Sequence, residues 1–344
     1  IRVDAISSFP RDIEQPQVRQ WVNREEFIRV AVHGDLSERE LKRLADFTSE
    51  ALAGLDGEFS LPLELADFVA GLDELLLRPS LTPQSFWRES GEVKEAYREK
   101  VFMGFDGEER GLTLAMAKRF MAAVSSHLDD AIARARTPEG IVTYYAHEAE
   151  EYREIAPGRA DVTRFRQKPL PLFLEGFVHA LRVAKSEEVR PLYDAVRRSA
   201  LYDEKLGMFR LNAPLGEDAL DLGRIGVFNY GWLENGSIFL HMHYKFVLEM
   251  VRRGLLGEFH GQIDRLLVAF RDPAEYRRNP TECSSFLVSS GFAIDPRQHG
   301  RGCVARLSGA TVELLHLWLH LFLGPAPFVL GNGRLLFRPE PVLS

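Results

Sequence analysis

At 344 residues the chain has room for about two domains or one large one, and a core of that size needs no metal or disulfide staple. With 45% hydrophobic and 27% charged residues it has the composition of a folded globular protein, which excludes a mostly disordered chain. Acidic residues outnumber basic ones by 50 to 43, for a net charge of −7, a balance that argues against broad nucleic-acid binding, which depends on neutralising phosphates.

The opening segment, Ile1 to Pro16, carries weak patterning, and the start at Ile1 reads as a processed or truncated piece of a longer protein. Residues 37–55 predict an amphipathic helix, with Leu41, Leu44, Phe47, Leu52 and Leu55 roughly on one face. Ser37 and Glu40 have the spacing of a capping box at its start. The same habit recurs over 62–77, ended by Pro79, and over 83–101, opened by Pro83. A long helix is expected over 111–136, followed by a loop-rich stretch from Thr137 to Pro169 with a short strand at Ile141–Tyr145. Residues 171–185 and 187–200 read as a helical hairpin, and 201–236 as long and irregular. Helices return at 237–253, 256–269 and 309–323. The apolar stretch 312–330 is broken by Glu313, His316, His320, Gly324 and two prolines, so it falls short of the ~20 apolar residues of a membrane span and reads as a buried helix with a loop and strand behind it. Phe328–Leu330 and Arg334–Phe337 flank Gly331-Asn332-Gly333, a tight-turn sequence. This pattern predicts a mainly α protein with small β ornaments, arranged as an (α/α)6-toroid-like helical barrel. The expected division is an irregular segment 1–36, a toroid 37–325 and a terminal hairpin 326–344.

Two segments carry the strongest chemical signals. Arg297-Gln-His-Gly-Arg-Gly-Cys-Val-Ala-Arg306 leads into Ser308 and Gly309 at the start of a helix, where free N–H groups and a partial positive charge suit an anion; a capped helix with solvated arginines accounts for it equally. Asn229-Tyr-Gly-Trp-Leu-Glu-Asn-Gly-Ser-Ile-Phe-Leu-His-Met-His243 mixes a flat aromatic platform, Trp232, with the polar Glu234, Asn235 and His241. That mixture serves sugar recognition, and also serves a loop packed on a core. Glu148, Glu175 and Glu282 stand out as carboxyls beside aromatic or loop segments, where a raised pKa makes a general acid. The two cysteines, Cys283 and Cys303, form no Cys-x-x-Cys pair. His241 and His243, two apart on a helix, point to different faces, and His316 and His320 share a face but lack the protease-type Glu after His316; they read as core histidines, so no metal and no cofactor is expected. Serine-hydrolase, P-loop and dinucleotide motifs are missing; the Gly300–Ala305 run has no βαβ setting.

Residues 170–340 resemble the inverting glycoside phosphorylases of the cellobiose and chitobiose phosphorylase family. Glu234-Asn-Gly-Ser-Ile-Phe-Leu-His241 is similar to that family's Asn-Gly-Gly segment ending in Thr-His, and Arg306-Leu-Ser-Gly-Ala-Thr311 to its Thr-Gly-(Ser/Thr/Ala) loop. Glu282 falls where the family has Glu-Pro-Tyr. The resemblance implies an α/α toroid whose pocket takes a β-glucoside, with inorganic phosphate as co-substrate. By it, His241, Arg306, Ser308 and Gly309 hold phosphate, while Trp232, Glu234, Asn235 and Glu282 shape the sugar subsite. The family's Gly-Asp-Trp-Asn-Asp-Gly motif, which carries its catalytic Asp, is absent here, and Glu148 is the replacement candidate for the proton donor. An inverting hydrolase, which needs a base as well as an acid, and a non-catalytic glycan-binding fragment are the alternatives. The expected partners are an oligosaccharide or disaccharide, and further domains of a parent chain or a second copy. No membrane or nucleic acid is expected, and without a signal peptide the expected location is cytoplasmic.

Overall fold

The computed structural model describes residues 30–34, 36–156, 159–216, 222–279, 285–303 and 308–342. The protein is mainly α. Among the described residues eight helices have ten or more residues: α1 (Leu36–Ala53), α2 (Leu63–Leu76), α3 (Pro83–Lys100), α4 (Leu114–Arg134), α5 (Leu174–Val183), α6 (Ser186–Arg198), α7 (Leu240–Arg252) and α8 (Ser308–Leu323). None is long and apolar enough to cross a membrane. The chain divides into two compact units, one of residues 1–136 with 151–163, the other of 137–150 with 164–344.

In the first unit α1 packs on α4, and α2 on α3. Lys42 of α1 reaches Ser125 Oγ at 2.5 Å and Asp129 Oδ2 at 3.0 Å on α4, tying the two helices together. The strands Glu58–Pro62 and Glu109–Thr113 pair antiparallel and lead straight into α2 and α4. The expected 111–136 helix therefore starts three residues late, at Leu114, with Thr113 Oγ1 accepting from the Met116 N–H at 3.2 Å. α1 starts at Leu36, so Ser37 lies within it and not ahead of it. α3 opens as expected on Pro83, behind Thr82, whose Oγ1 accepts from the Ser85 N–H at 3.1 Å. Thr82→Ala leaves that N–H orphaned and is expected to weaken the first turn by about 1 kcal/mol. Hydrogen exchange at the Ser85 amide checks this; an unchanged rate shows the cap to be idle.

In the second unit α7 is the central helix. It packs on both α5 and α8, and α5 packs on α6. Residues of α7 from Leu240 to Val251 are nearly all buried, including Glu249. That carboxylate is tolerated inside because Arg182 and Arg252 each donate to its Oε1 at 2.9 Å. The sequence assigns the all-round burial to α8, and here the structure corrects it. Ala310, Leu314, Leu317 and Leu321 of α8 are buried, but Val312, Leu315, Leu319 and Phe322 are exposed. Composition alone does not say which apolar face finds a partner.

Two further expectations are corrected. Residues 137–169 are not mostly loop: Tyr144–Ala156 and Arg159–Pro169 are long neighbouring strands of one sheet. Instead of a clean apolar alternation they carry cross-strand ion pairs. Glu148 pairs with Arg166, and Glu150 with Arg164 Nε at 3.4 Å. The expected helix 256–269 is broken at Gly261 into Leu256–His260 and Ile263–Leu266, with a 3-10 turn behind. The terminal hairpin forms as read, with Phe328 opposite Phe337 and Asn332 and Gly333 at φ 50° and 72° in the turn.

Candidate functional site

Three two-residue strands organise the site. Ile238–Phe239 pairs antiparallel with Leu287–Val288, which pairs antiparallel with Gly302–Cys303. This register draws together the aromatic segment after Asn229 and the arginine-rich segment after Arg297, which are separate in sequence. Between them lies a pocket of about 600 Å³. Tyr230 and Trp232 come to it from the first segment, Arg301 and Cys303 from the second, Asp295 from just ahead of the second, and Arg278 from elsewhere in the chain.

The aromatic loop is closed by its own backbone. The Trp232 N–H donates to Asn229 O at 3.1 Å, the Asn235 N–H to Trp232 O at 3.1 Å, and the Gly231 N–H to Asn235 O at 2.7 Å. Asn235 Nδ2 donates to Phe228 O at 2.7 Å. Gly236 has φ 71°, and a Cβ there would fall 2.2 Å from the Tyr230 ring. Its glycine is thus required by the ring it supports. Asn235 is buried and shapes the loop; neither it nor Glu234 is among the pocket-lining residues.

Buried polar groups brace this loop. The Tyr230 hydroxyl accepts from Arg210 Nη1 at 2.7 Å, and Arg210 Nη2 donates to Tyr202 O at 2.9 Å. The Arg210 guanidinium lies 4.8 Å from the Phe292 ring centre. Burial pushes the Tyr230 hydroxyl up, partly offset by Arg210, so the phenol keeps its proton and has it to donate. The opposite wall hangs on Asp203, which is fully buried. Its Oδ2 accepts from Ser290 Oγ at 2.6 Å and the Gly291 N–H at 2.9 Å, and its Oδ1 from the Leu206 N–H at 3.2 Å. The Ser290 N–H then donates to Gly231 O at 3.1 Å, joining wall to loop.

Asp295 is held below the usual carboxylate range by the hydrogen-bonded Arg297, whose Nε and Nη2 donate to Oδ1 and Oδ2, each at 3.0 Å. Burial pushes the Cys303 thiol up, and Arg301 and Arg278 pull against it. Arg301 Nη1 donates to Gln298 Oε1 at 3.4 Å.

His241 stands in the first turn of α7, and Gly309 at the start of α8. They lie in contact: a Cβ on Gly309 would be 3.0 Å from His241 Nδ1. His241 Nε2 is 3.6 Å from Glu313 Oε1, one turn further along α8. Burial pushes the Glu313 carboxyl up, but His241, Lys245 and His316 together hold it below its ordinary value. The structure thus brings His241 to the N-terminus of a sixteen-residue helix, whose first N–H groups have no intrahelical partner. Of the other sequence-derived site residues, Glu282 and Arg306 lie outside the described residues, as does the side chain of Ser308.

Glu148 is not brought to the pocket; it lies on the long strand Tyr144–Ala156, paired with Arg166. Glu175 accepts from the Tyr144 hydroxyl at 3.0 Å and also lies outside the lining. His243 is a core histidine: its Nδ1 accepts from the Phe209 N–H at 3.2 Å, and its Nε2 donates to Leu266 O at 2.8 Å. His320 is buried, but His316 is half exposed and pairs with Arg252, so the core reading fails for it. Sequence reading missed Asp203, Arg210 and Arg278, none of which carries a local motif. Tyr230 and Arg301 were legible, lying inside the two segments singled out.

No protein-family model and no curated protein matches this chain.

Proposed function

We propose that the second unit carries a phosphorylase-like carbohydrate site, which cleaves or forms a β-glycosidic bond with inorganic phosphate and inverts the anomeric carbon. The observation that carries this reading is the contact between His241 and Gly309 at the start of α8. These residues belong to the two segments whose resemblance to glycoside phosphorylases suggests phosphate binding, and they are 68 positions apart by number. A helix N-terminus with an imidazole against it is an anion site by its chemistry. The glycine lets an anion reach the backbone, and Glu313 orients the imidazole from one turn away. The packing of α7 between α5 and α8 fits a toroid-like helical arrangement.

In this reading Trp232 gives the C–H face of a sugar its platform, and Tyr230 and Asp295 exchange hydrogen bonds with its hydroxyls. Asp295, held ionised, accepts them and does not protonate a leaving oxygen. Phosphate is already an anionic nucleophile, so the reaction needs an acid and no base. Glu148 is the candidate the sequence offers for that role, but it lies outside the pocket lining and is paired with Arg166. A second reading, a glycan-binding protein without turnover, is favoured by one observation: the Asp295 carboxyl lining the pocket is ion-paired and Glu148 is engaged elsewhere.

Incubation with β-linked glucose disaccharides, with and without phosphate, tests both. Sugar 1-phosphate appearing only with phosphate is the expected result. Free sugar formed regardless of phosphate indicates hydrolysis, and binding without product indicates the second reading. His241→Ala is expected to lower kcat/KM for phosphate by about 10²-fold, the scale of one lost donor to a reacting anion. An unchanged phosphate dependence in that variant removes His241 from the site.

A further inference from the structure

Helix α8 carries two apolar stripes, and among the described residues only the inner one is covered. The stripe from Ala310 to Leu321 packs inward, while Val312, Leu315, Leu319 and Phe322 run along the opposite face, each more than half exposed. Their 3-4-3 spacing is that of a coiled-coil seam, and a helix apolar on every side is normally buried on every side. The terminal hairpin repeats the situation. Phe328 stands opposite Phe337 and Leu330 opposite Leu335, so the four share one face, and that face is exposed as well. A two-stranded hairpin with no cover on its apolar face is marginal in water. Behind the hairpin the chain returns to α8: the Glu340 N–H donates to Leu323 O at 3.0 Å and the Val342 N–H to Leu321 O at 2.9 Å. Seam and hairpin are thus fixed to each other.

We infer that a second copy of this chain covers this surface, with α8 pairing antiparallel to its copy about a two-fold axis level with Leu317. The seam matches its own inverse. In that register Val312 meets the partner's Phe322 and Leu315 the partner's Leu319, so small faces large and every layer has a similar volume. A parallel pair would set Phe322 on Phe322 and Val312 on Val312. Nor does the seam ask for a partner of opposite charge. Its flanking positions on α8 are Thr311, His316, Trp318 and Leu323, none an acid or a permanent cation, whereas the choice of a different partner is set by flanking charges. His316 is held by Arg252 of α7, which also donates to Glu249. The area agrees. The eight side chains of seam and hairpin are between 54% and 79% exposed. At on the order of 100 Å² each they offer roughly 800 Å² per copy, the size of a standard stable interface. The seam alone supplies half of that, so the hairpin belongs to the contact.

Light scattering of the full chain over a dilution series tests the inference. A mass twice that of the chain is expected, falling toward the single mass on dilution. Leu315→Lys and Leu319→Glu each bury two unpaired charges in the pair, and each is expected to raise its dissociation constant at least about a hundredfold. Mixed in equal amounts, the two variants are expected to dimerise again, because the introduced lysine meets the introduced glutamate across the axis and the other central layer keeps its two leucines. Both positions are exposed in the single chain, so the variants fold, and unchanged helical circular dichroism verifies it. A chain that is monomeric at every concentration overturns the inference: something other than a second copy then covers the face. A dimer that survives both substitutions, or a mixture that does not recover it, overturns the inference as well.

Discussion

Asp203→Ala is expected to destabilise the second unit by about 3 kcal/mol and to loosen the pocket with it. The substitution removes a fully buried acceptor of three hydrogen bonds and leaves the donors of Ser290, Gly291 and Leu206 without a partner in a dry environment. Each orphaned donor bears a desolvation cost of about 1–3 kcal/mol, partly relieved where the loop relaxes toward water. Asp203→Asn separates charge from shape. Its amide oxygen still accepts on one side, but its NH₂ meets an N–H or O–H donor on the other, so an intermediate loss of stability is expected. Unfolding in urea measures both variants. A loss below 1 kcal/mol for the alanine variant shows that the wall does not hang on this residue. Asp203 also ties the wall to the aromatic loop through the Ser290 N–H and Gly231 O. Sugar affinity is therefore expected to fall in the alanine variant even at temperatures where it remains folded.

The contrast between Asp203 and its partners shows where the sequence is readable. Helices α1 to α6 were legible to within a few residues, because their apolar spacing, Pro83 and Pro79 are local signals. The ribbon of Tyr144–Ala156 and Arg159–Pro169 was not, because the backbone pairing that makes it leaves no local mark and its faces carry charged pairs such as Glu148–Arg166 and Glu150–Arg164. In sequence such residues look like a solvated charged loop. The two site segments announced their chemistry by residue type, as with Trp232, His241 and Gly309. Their bracing did not: Asp203 and Ser290 are 87 positions apart, and Arg210 and Tyr230 are 20 apart. A buried ion or polar anchor is defined by what long-range folding places around it. Glu148 marks the opposite error. Its aromatic surroundings in sequence imply a raised pKa, whereas its neighbour across the ribbon is an arginine.

The second large effect is a pH dependence of stability that belongs to His243. Burial lowers its pKa from 6.5 to about 4, against the weaker opposing pull of the Leu266 carbonyl. In the unfolded chain the imidazole takes up a proton as pH falls through 6.5; in the native state it does so only near 4. Between those values the unfolded state binds more protons, so stability falls as pH falls. The contribution is fully present above about pH 7, is lost progressively from 6.5 to 4, and amounts to about 3 kcal/mol in total. Carboxylates also titrate in this range, so the His243 share must be isolated by comparison. His243→Gln keeps a donor for Leu266 O and removes the titrating group. It is expected to be less stable than the parent at pH 7, because the Phe209 N–H loses its acceptor. Its deficit is expected to shrink or reverse at pH 4, where the parent bears the cost of the buried charge. Urea midpoints at pH 7, 5.5 and 4 measure the difference. A difference that stays constant across that range shows that His243 does not titrate as its burial requires. Because His243 sits two residues from His241 on α7, the same protonation disturbs the helix that presents His241 to Gly309. In the native protein that protonation comes only near pH 4, so phosphate binding is expected to weaken only as pH approaches 4 in the parent, and less so in His243→Gln.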